Sequence, residues 1–340
     1  MAEQKAEKAL VTGGGGFLGK AIVKQLLNKD YDVYSFSRSR YDSLSAMGIT
    51  QIQGDIRDPI AVDNACPGMD VVFHVAARAG VWGEYEDYFQ TNVLGTKNII
   101  SSCLKNSVRR LIYTSSASVV YDGKDMKGAN ESAPYPEKYL THYPKTKAMA
   151  EQIVVNASGA DLLTAILRPH LIWGPEDNHL VPRIIERADR LFKVGNGKNI
   201  ADTIYIDNAA VAHILAAEKL LERPDLSGNI YFISQGDFVP VWEMINNILK
   251  AAGLNPVKRS VPAWIAWFAG AMLESIYKAF KIKKEPQMTR FVALELSTSH
   301  WYDISAAKKD LGYEPIISTK EGLLRLEKWL KNSRCERIIN

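Results

Sequence analysis

The stretch Leu10–Lys20, LVTGGGGFLGK, joins a short apolar run to a helical pattern through four consecutive glycines. Glycine at such a junction lets the chain turn tightly. It also brings the backbone against a phosphate group at a helix N-terminus, where amide donors and the helix dipole favour an anion. Gly14, Gly16 and Gly19 fit G-x-G-x-x-G, whereas Gly13, Gly16 and Gly19 fit the wider G-x-x-G-x-x-G. Either spacing predicts a pyrophosphate site here, in preference to a plain tight turn.

Short apolar runs alternate with helical patterns from this point to about Trp173. Continuous apolar runs with helices between them are typical of strands buried on both faces of a parallel sheet. We therefore predict an α/β protein with a Rossmann-type doubly wound parallel sheet and a smaller, mostly helical C-terminal part. Residues 1–175 would form the dinucleotide-binding domain, with the sheet completed by parts of 200–235. Residues 176–340 would form the substrate-binding part.

Composition excludes several other classes of protein. The 340 residues are 46% hydrophobic and 24% charged, which suits a soluble protein with a sizeable core. The formal net charge of +4 is too small to predict a nucleic-acid partner. Three scattered cysteines and six histidines without ligand spacing predict neither a disulfide framework nor a metal site. The charged residues 1–10 are unlike a signal peptide, so we predict a cytoplasmic protein.

The segment 261–286 qualifies the cytoplasmic prediction. Its apolar run ends at Glu274, short of the roughly 20 residues that span a bilayer. A buried helix is the first interpretation. The alternative is an interfacial helix in peripheral contact with a membrane, since Trp264, Trp267 and Phe268 are followed by four lysines.

The end of the predicted second strand bears on the choice of dinucleotide. NAD-binding proteins of this architecture place an acidic residue there, about 20 residues after the glycines. Here the sequence offers Ser37, Arg38 and Arg40, while Asp30 and Asp32 come before the strand. A hydroxyl beside arginines suits a 2′-phosphate, so we favour NADP (NADPH) over NAD. The alternative is that both arginines are solvated surface charges.

Two tyrosines are followed by lysine four residues later. Tyr143 and Lys147 lie in THYPKTK, and Tyr277 and Lys281 lie in YKAFK. In a helix this spacing places both side chains on one face, where the lysine could lower the pKa of the tyrosine. Spacing alone does not choose between the pairs. We expect the second to be coincidental, because it lies in the amphipathic segment.

The proline of THYPKTK restricts where a helix can begin. Proline removes a backbone donor and clashes inside a helix, but it is tolerated in the first turn. If Thr141 is the N-cap, Pro144 falls in that first turn, where its missing N–H would have had no intrahelical partner. We therefore predict a helix that begins directly after Thr141.

The glycine loop, the strand order and YPKTK together resemble the extended short-chain dehydrogenase/reductase family over nearly the whole chain. Proline after the tyrosine is similar to the 3β-hydroxysteroid dehydrogenase branch. AARAGVWGEYEDY, RPHLIWGPEDNHLVPR and STSHWYDISAAKKDLGY resemble its members that act on 2-alkyl-3-oxoalkanoates and sterol 4α-carboxylates. One departure is VVYDGKDM, where sugar-nucleotide epimerases usually show a compact VYG.

The resemblance implies an NAD(P)-dependent oxidoreductase. It identifies Tyr143 as the proton donor or acceptor and Lys147 as its charged neighbour. It also identifies Ser116 as the donor to the substrate oxygen, with Ser115 as the alternative. The reaction would interconvert a secondary hydroxyl and a ketone on a bulky apolar substrate, and the protein would be a homodimer. The implied cofactor contacts are Gly13, Gly16, Phe17, Leu18, Gly19, Ser37, Arg38, Asp55, Ile56, Ala76, Ala77, Asn92, Tyr143, Lys147 and Pro169.

Two other functions stay open on the sequence. One is a nucleotide-sugar epimerase or dehydratase with tightly bound NAD. The other is a redox sensor or scaffold that binds NADP(H) without turnover. The intact set of Ser116, Tyr143 and Lys147 argues against the second.

Several single residues have two interpretations. Trp82, Trp173 and Tyr205 either line an apolar substrate pocket or belong to the core. His74, inside an apolar run, is predicted to be a core residue. His179 is predicted to lie in a surface loop, with contact to a substrate carboxylate as the alternative.

Overall fold

A computed structural model describes residues 6–339, with side chains described for 6–332. Its centre is a sheet of seven parallel strands, and each predicted apolar run forms one of them. The strands are β1 (Lys8–Thr12), β2 (Asp32–Ser37), β3 (Thr50–Gln53), β4 (Val71–His74), β5 (Arg110–Thr114), β6 (Leu163–Pro169) and β7 (Ile230–Ile233). Their order is β7-β6-β5-β4-β1-β2-β3, which confirms the predicted doubly wound sheet. The order reverses between β1 and β4, and ligands of such sheets bind at this point.

Helices cover both faces of the sheet. The longer ones are α1 (Phe17–Leu27), α2 (Pro59–Ala65), α3 (Gly95–Lys105), α4 (His142–Ala157), α5 (Ile206–Glu222), α6 (Val241–Ala251), α7 (Ala263–Ala279) and α8 (Thr319–Ile339). Shorter helical segments are Asp42–Ser45, Tyr85–Tyr88, Phe89–Leu94, Ala117–Val120, Leu180–Glu186, Ala188–Arg190, Pro224–Leu226, Arg290–Glu295 and Ala307–Leu311. Along β1, Ala9 and Val11 join one apolar core and Leu10 joins the other, as alternating strand residues must.

The C-terminal part adds short strands to its helices. A four-stranded sheet has the order Val239–Pro240, Ile200–Ala201, His300–Tyr302 and Met126–Ala129. Two further pairs are Ile172–Trp173 with Ile204–Tyr205, and Lys193–Val194 with Ser260–Val261. Because one strand of the small sheet comes from residues 126–129, the two halves of the chain are interleaved. A division at residue 175 stays a prediction.

Helix α7 is not the buried helix that was the first interpretation of 261–286. The helix buries Ala266, Gly270 and Glu274. The side chains of Trp264 and Phe268 are 64% and 61% exposed. The prediction is wrong because only part of the helix packs on the core: Trp267 is partly buried there, whereas Trp264 and Phe268 are mostly exposed. Within residues 6–339, no helix is both long enough and apolar enough to cross a bilayer.

Candidate active site

A cavity of about 850 Å³ opens beside the point where the strand order reverses. The glycine loop, the carboxyl ends of several strands and the start of α4 form its walls. All the site residues predicted from the sequence line it except Asn92 and Lys147. Those that line it are Gly13, Gly16, Phe17, Leu18, Gly19, Ser37, Arg38, Asp55, Ile56, Ala76, Ala77, Ser116, Tyr143 and Pro169.

The glycine loop uses the wider of the two predicted spacings. Gly13, Gly16 and Gly19 line the cavity, and Gly14 does not. Gly13 has φ +71, a left-handed conformation that favours glycine. A Cβ on Gly19 would lie 2.1 Å from the carbonyl oxygen of Gly13, so only glycine lets the helix approach the loop. These contacts fix the loop closely against α1.

The N-terminus of α1 fits an anion. Its N-cap, Gly16, has no side chain that could bond the first amides, and the first turn carries no acidic residue. The amide donors of that turn are therefore left to a ligand. A pyrophosphate satisfies both the donors and the helix dipole, so the residues present fit a dinucleotide.

Two arginines near the ends of β2 and β3 differ in their partners: Arg57 binds an aspartate, and Arg38 does not. Asp55 accepts from Arg57 at 3.0 and 2.6 Å, and this hydrogen bonding lowers the pKa of the Asp55 carboxyl. Arg38 lines the cavity and forms no ion pair with the described side chains. Its guanidinium is thus available to an anion, beside the hydroxyl of Ser37.

Helix α4 begins as predicted, one residue after Thr141. Thr141 has an extended backbone, and Pro144 lies in the first turn. Thr141 is the N-cap residue, but its hydroxyl makes no capping hydrogen bond. Its side chain therefore does not stabilise the start of the helix. Tyr143 projects to the cavity, and Lys147 lies one turn further along.

Tyr143 and Ser116 line the same cavity. Burial raises the pKa of Tyr143 to about 12, and the hydrogen bond with Ser116 opposes this rise. Ser115, the alternative serine, is only 2% exposed and donates its proton to Glu151 at 2.5 Å. The Ser116 hydroxyl lies 2.8 Å from that of Ser118, and either can be the donor. Ser116 is therefore the serine whose proton can still turn to a ligand, and its role stays a prediction.

Lys147 lies behind the cavity and not on its wall. It is 2% exposed, its Nζ donates to the Thr114 carbonyl at 2.5 Å, and it lies 4.1 Å from the ring centre of Tyr113. Desolvation lowers the pKa of Lys147 to about 7, although the Glu151 carboxylate opposes the fall. In the protein alone, the pKa of Tyr143 is not lowered as the sequence led us to expect. A lower value needs a further positive charge at the site.

A buried ion pair that the sequence did not predict supports this wall. Glu151 and Arg168 are 0% and 1% exposed, and the guanidinium donates to the carboxylate at 2.6 and 3.1 Å. Tyr135 also donates to Glu151, at 2.6 Å. Arg168 therefore does not reach the cavity, although its neighbour Pro169 does. The signal was present: Glu151 follows Lys147 by four residues, on the same face of α4.

Asn92 does not line the cavity, but its side chain links two segments that form the cavity walls. It lies in the π-helical segment Phe89–Leu94, and such segments are often found at functional sites. Its side chain accepts from the Arg78 amide at 2.7 Å and donates to Thr146 at 3.0 Å. Asn92 thus joins the loop after β4 to α4, and its contact with the cofactor stays a prediction.

The remaining single residues divide between core and cavity. His74 is a core residue, and burial lowers its pKa to about 3. Trp173 and Tyr205 are also core, with their rings edge to face at 5.2 Å. His179 lies in an exposed loop, as predicted, and this loop also lines the cavity. Its contact with a substrate carboxylate stays a prediction. Trp82 does not line it.

Sequence reasoning missed several lining residues. Most flank predicted ones by one or two positions, because a strand end or tight loop presents more than one residue to the same space. They are Phe36, Ser39, Tyr41, Gly54, Val75, Arg78, Ala79, Thr91, Thr114, Leu171, Ile172, Asp177 and Asn178.

Known proteins share this architecture and much of this sequence. Residues 10–263 match the 3-beta hydroxysteroid dehydrogenase/isomerase family. A 2-alkyl-3-oxoalkanoate reductase of Shewanella oneidensis is 46% identical over 95% of this chain and 86% of its own. A decarboxylating sterol-4-alpha-carboxylate 3-dehydrogenase of Mus musculus is 34% identical over 94% and 90%.

Solved structures agree on the fold. A UDP-glucose 4-epimerase of Thermotoga maritima, solved with UDP-glucose, superposes with a TM-score of 0.75 over 96% of this chain and 99% of its own. At 21% identity this likeness concerns the fold alone. The family match covers most of the chain, and the relatives that match along nearly its full length are named as reductases and dehydrogenases. The chain is an oxidoreductase of the extended short-chain dehydrogenase/reductase type and belongs to the 3-beta hydroxysteroid dehydrogenase/isomerase family.

Proposed function

We propose that this enzyme uses NADPH to reduce the ketone of a 2-alkyl-3-oxo acid to a secondary alcohol. The observation that carries the proposal is that Tyr143 and Ser116 line one cavity together with the glycine loop. The 46% identical relative named as a 2-alkyl-3-oxoalkanoate reductase supports this substrate class. The relatives named as sterol dehydrogenases favour a 3β-hydroxysteroid or sterol carboxylate as the second candidate.

The residues of the cavity divide between the parts of the cofactor. The amides of the α1 N-terminus would hold the pyrophosphate, and Ser37 and Arg38 would bind a 2′-phosphate. Ala76 and Pro169 also line the cavity, and the resemblance places them against the cofactor. When bound, the nicotinamide supplies the hydride. The chain supplies orientation, charge and the proton.

Tyr143 is protonated at neutral pH, since burial raises its pKa to about 12. It can therefore give a proton to the oxygen of the ketone as negative charge develops there. Ser116 would donate a hydrogen bond to the same oxygen and position the carbonyl. In the oxidative direction, the positive charge of an oxidised nicotinamide and of a protonated Lys147 would favour the phenolate.

The test follows the absorbance of reduced nicotinamide with purified protein. We expect oxidation of NADPH with a 2-alkyl-3-oxo acid. A parallel panel contains 3β-hydroxysteroids with NADP and NAD. If neither panel shows turnover, the proposal fails; turnover only in the steroid panel moves the assignment to the second candidate.

The epimerase alternative rests on fold likeness and makes a different prediction. Such an enzyme keeps NAD through purification and converts UDP- or dTDP-sugars without net oxidation. We expect this protein to be free of tightly bound NAD and inactive on those sugars. Stoichiometric NAD in the purified protein, with sugar turnover, would overturn our assignment.

The preference for NADP can be tested at Arg38. Arg38→Asp removes a cation from the cavity wall and adds a repelling charge. We expect the NADPH-to-NADH ratio of kcat/KM to fall by about 10- to 100-fold, as for the loss of a ~1.5–3 kcal/mol hydrogen bond to a charged group. Arg40→Asp is the control, because Arg40 is exposed and does not line the cavity. Equal ratios in both variants would show that Arg38 does not read the 2′-phosphate.

We also keep the homodimer as a proposal. It derives from the resemblance to the family, and light scattering of the purified protein measures it directly. A monomer at enzyme-assay concentrations would contradict it.

A further inference from the structure

Helix α7 carries an unusual outer face. Large apolar side chains recur every four residues along the helix and at its C-terminal end, so they form one continuous stripe. We call this set the α7 stripe: Trp264, Phe268, Met272, Ile276 and Phe280. Four of its members are 60% exposed or more, and Ile276 is 40% exposed. Contiguous exposed apolar surface of this kind marks an interaction site.

The opposite face of α7 fixes the helix in place. A Cβ on Gly270 would lie 2.6 Å from the backbone of Thr289, so the two segments are in close contact. Glu274 accepts from the backbone and side chain of Arg290 at 2.7 and 2.8 Å. The helix therefore cannot roll to bury its stripe without breaking these contacts.

Basic residues follow the stripe directly. Lys278, Lys281, Lys283 and Lys284 are exposed, and none forms an ion pair with the side chains of residues 6–332. The acid beside them, Glu285, is bound to arginines of another segment. The surface thus combines apolar side chains with uncompensated positive charge, which is the pattern of a helix that lies on an anionic lipid surface.

Charge also separates a membrane from a second copy of this chain. In a two-fold dimer the same surface meets itself, so the four lysines of each copy would approach those of the other or remain unpaired. An anionic bilayer instead neutralises all of them and receives the aromatic rings at the headgroup level. The bilayer is therefore the occupant that this surface fits.

The C-terminal end of the stripe adjoins the active site. The indole of Trp82 donates to the Ile282 carbonyl at 3.0 Å, and its ring lies edge to face with Tyr277 at 6.1 Å. Trp82 belongs to the loop that begins with Arg78 and Ala79, which line the cavity. A membrane in contact with α7 would lie beside this loop.

We propose that the α7 stripe inserts into the interface of an anionic membrane and that the following lysines bind its headgroups. The enzyme would then take its apolar substrate from the bilayer beside the cavity. The membrane contact stands on the surface alone, whereas the delivery of substrate rests on the proposed function.

The test is flotation with two kinds of vesicle, phosphatidylcholine alone and phosphatidylcholine mixed with phosphatidylglycerol. We expect the full-length protein to float with the mixed vesicles and much less with the neutral ones, and salt should weaken the binding. The double variant Trp264→Glu/Phe268→Glu should bind the mixed vesicles at least about tenfold more weakly. Ile60→Glu/Ile316→Glu is the matched control, since both residues are exposed elsewhere, at 71% and 61%.

The outcomes separate this proposal from the proposed function. The stripe variant should reduce a short, water-soluble 2-alkyl-3-oxo acid as fast as the parent but lose activation by vesicles with a long-chain substrate. Vesicle binding without any reductase activity would refute the function and leave the membrane contact. A protein that ignores both vesicles, or a stripe variant that floats normally, would overturn the membrane contact. If the parent ignores vesicles and the stripe variant changes from dimer to monomer, the face belongs to a second copy.

Discussion

The chain carries the same tyrosine–lysine spacing twice, and the two copies have opposite surroundings. Tyr143 and Lys147 lie on α4, with the phenol at the cavity and the lysine 2% exposed. Tyr277 lies near the end of α7, and Lys281 lies beyond the helix, exposed and with φ +50. The second pair therefore does not share a helix face at all.

The comparison extends to a third residue. Each lysine is followed four residues later by a glutamate, Glu151 or Glu285, and each glutamate binds arginine. Only the first triplet is continuous in one helix, and only Glu151 is completely buried. Charges interact far more strongly when water is excluded. The i,i+4 spacing indicates two candidate proton-transfer pairs. Only the pair that is buried and next to a cavity can transfer a proton to a bound substrate.

The largest expected difference between the two pairs is catalytic. Tyr143→Phe removes the proton donor and should lower kcat/KM by about 10²- to 10⁴-fold, the usual contribution of general acid catalysis. Tyr277→Phe should leave kcat/KM within about twofold. Steady-state kinetics of both variants, with cofactor binding as a check of folding, measure this. Equal losses of kcat/KM in the two variants, or no loss in either, would contradict the distinction between the two tyrosine–lysine pairs.

The two glutamates should differ in their effect on stability. Glu151→Gln leaves Arg168 buried without its counter-charge and should lower the free energy of unfolding by about 3–5 kcal/mol. Glu285→Gln weakens a partly exposed pair, so the loss should be about 1 kcal/mol or less. Urea unfolding measures both. A loss at Glu285 as large as that at Glu151 would contradict the difference in burial.

The two lysines should differ in how stability depends on pH. Desolvation lowers the pKa of Lys147 from 10.5 to about 7 in the folded protein. Between these values the unfolded chain binds more protons than the folded chain, so stability should rise with pH, by at most about 1.4 kcal/mol per unit. Below pH 7, Lys147 is charged in the folded protein as well, so the full cost of burying its charge lowers the free energy of unfolding.

Lys147→Met should remove the rise of the free energy of unfolding with pH in the cofactor-free protein, whereas Lys281→Met should keep this rise. Urea unfolding at a series of pH values from neutral to alkaline measures the slope. If Lys147→Met shows the same slope as the parent, Lys147 does not titrate in this range. That result would mean that the lysine is not desolvated as its position indicates.

Much of the fold was predictable because its signals are local. The apolar runs of the seven strands and the glycine loop each depend on a few consecutive residues. The carboxyl ends of the strands then lie together at one edge of the sheet, so about half of the cavity-lining positions followed. The exposed face of α7 was not predictable in this way, because the sequence shows which residues are apolar but not which neighbours cover them.

The finer chemistry of the site depends on contacts between distant segments. Ser115 and Ser116 both line the cavity, and what distinguishes them is the hydrogen bond that Ser115 donates to Glu151. Glu151 and Arg168 meet across α4 and β6, and their pairing commits Ser115. The raised pKa of Tyr143 follows from burial, which local spacing does not show.

The central claim is that Tyr143 exchanges the proton of the reaction. The most direct measurement is a pH titration of phenolate absorbance in the parent and in Tyr143→Phe, with and without oxidised NADP. The difference between the two proteins isolates Tyr143. We predict that its pKa, about 12 in the protein alone, falls below the value of about 10 of a free tyrosine when the cofactor is bound. A Tyr143 signal that stays above 10 with cofactor bound would contradict the account.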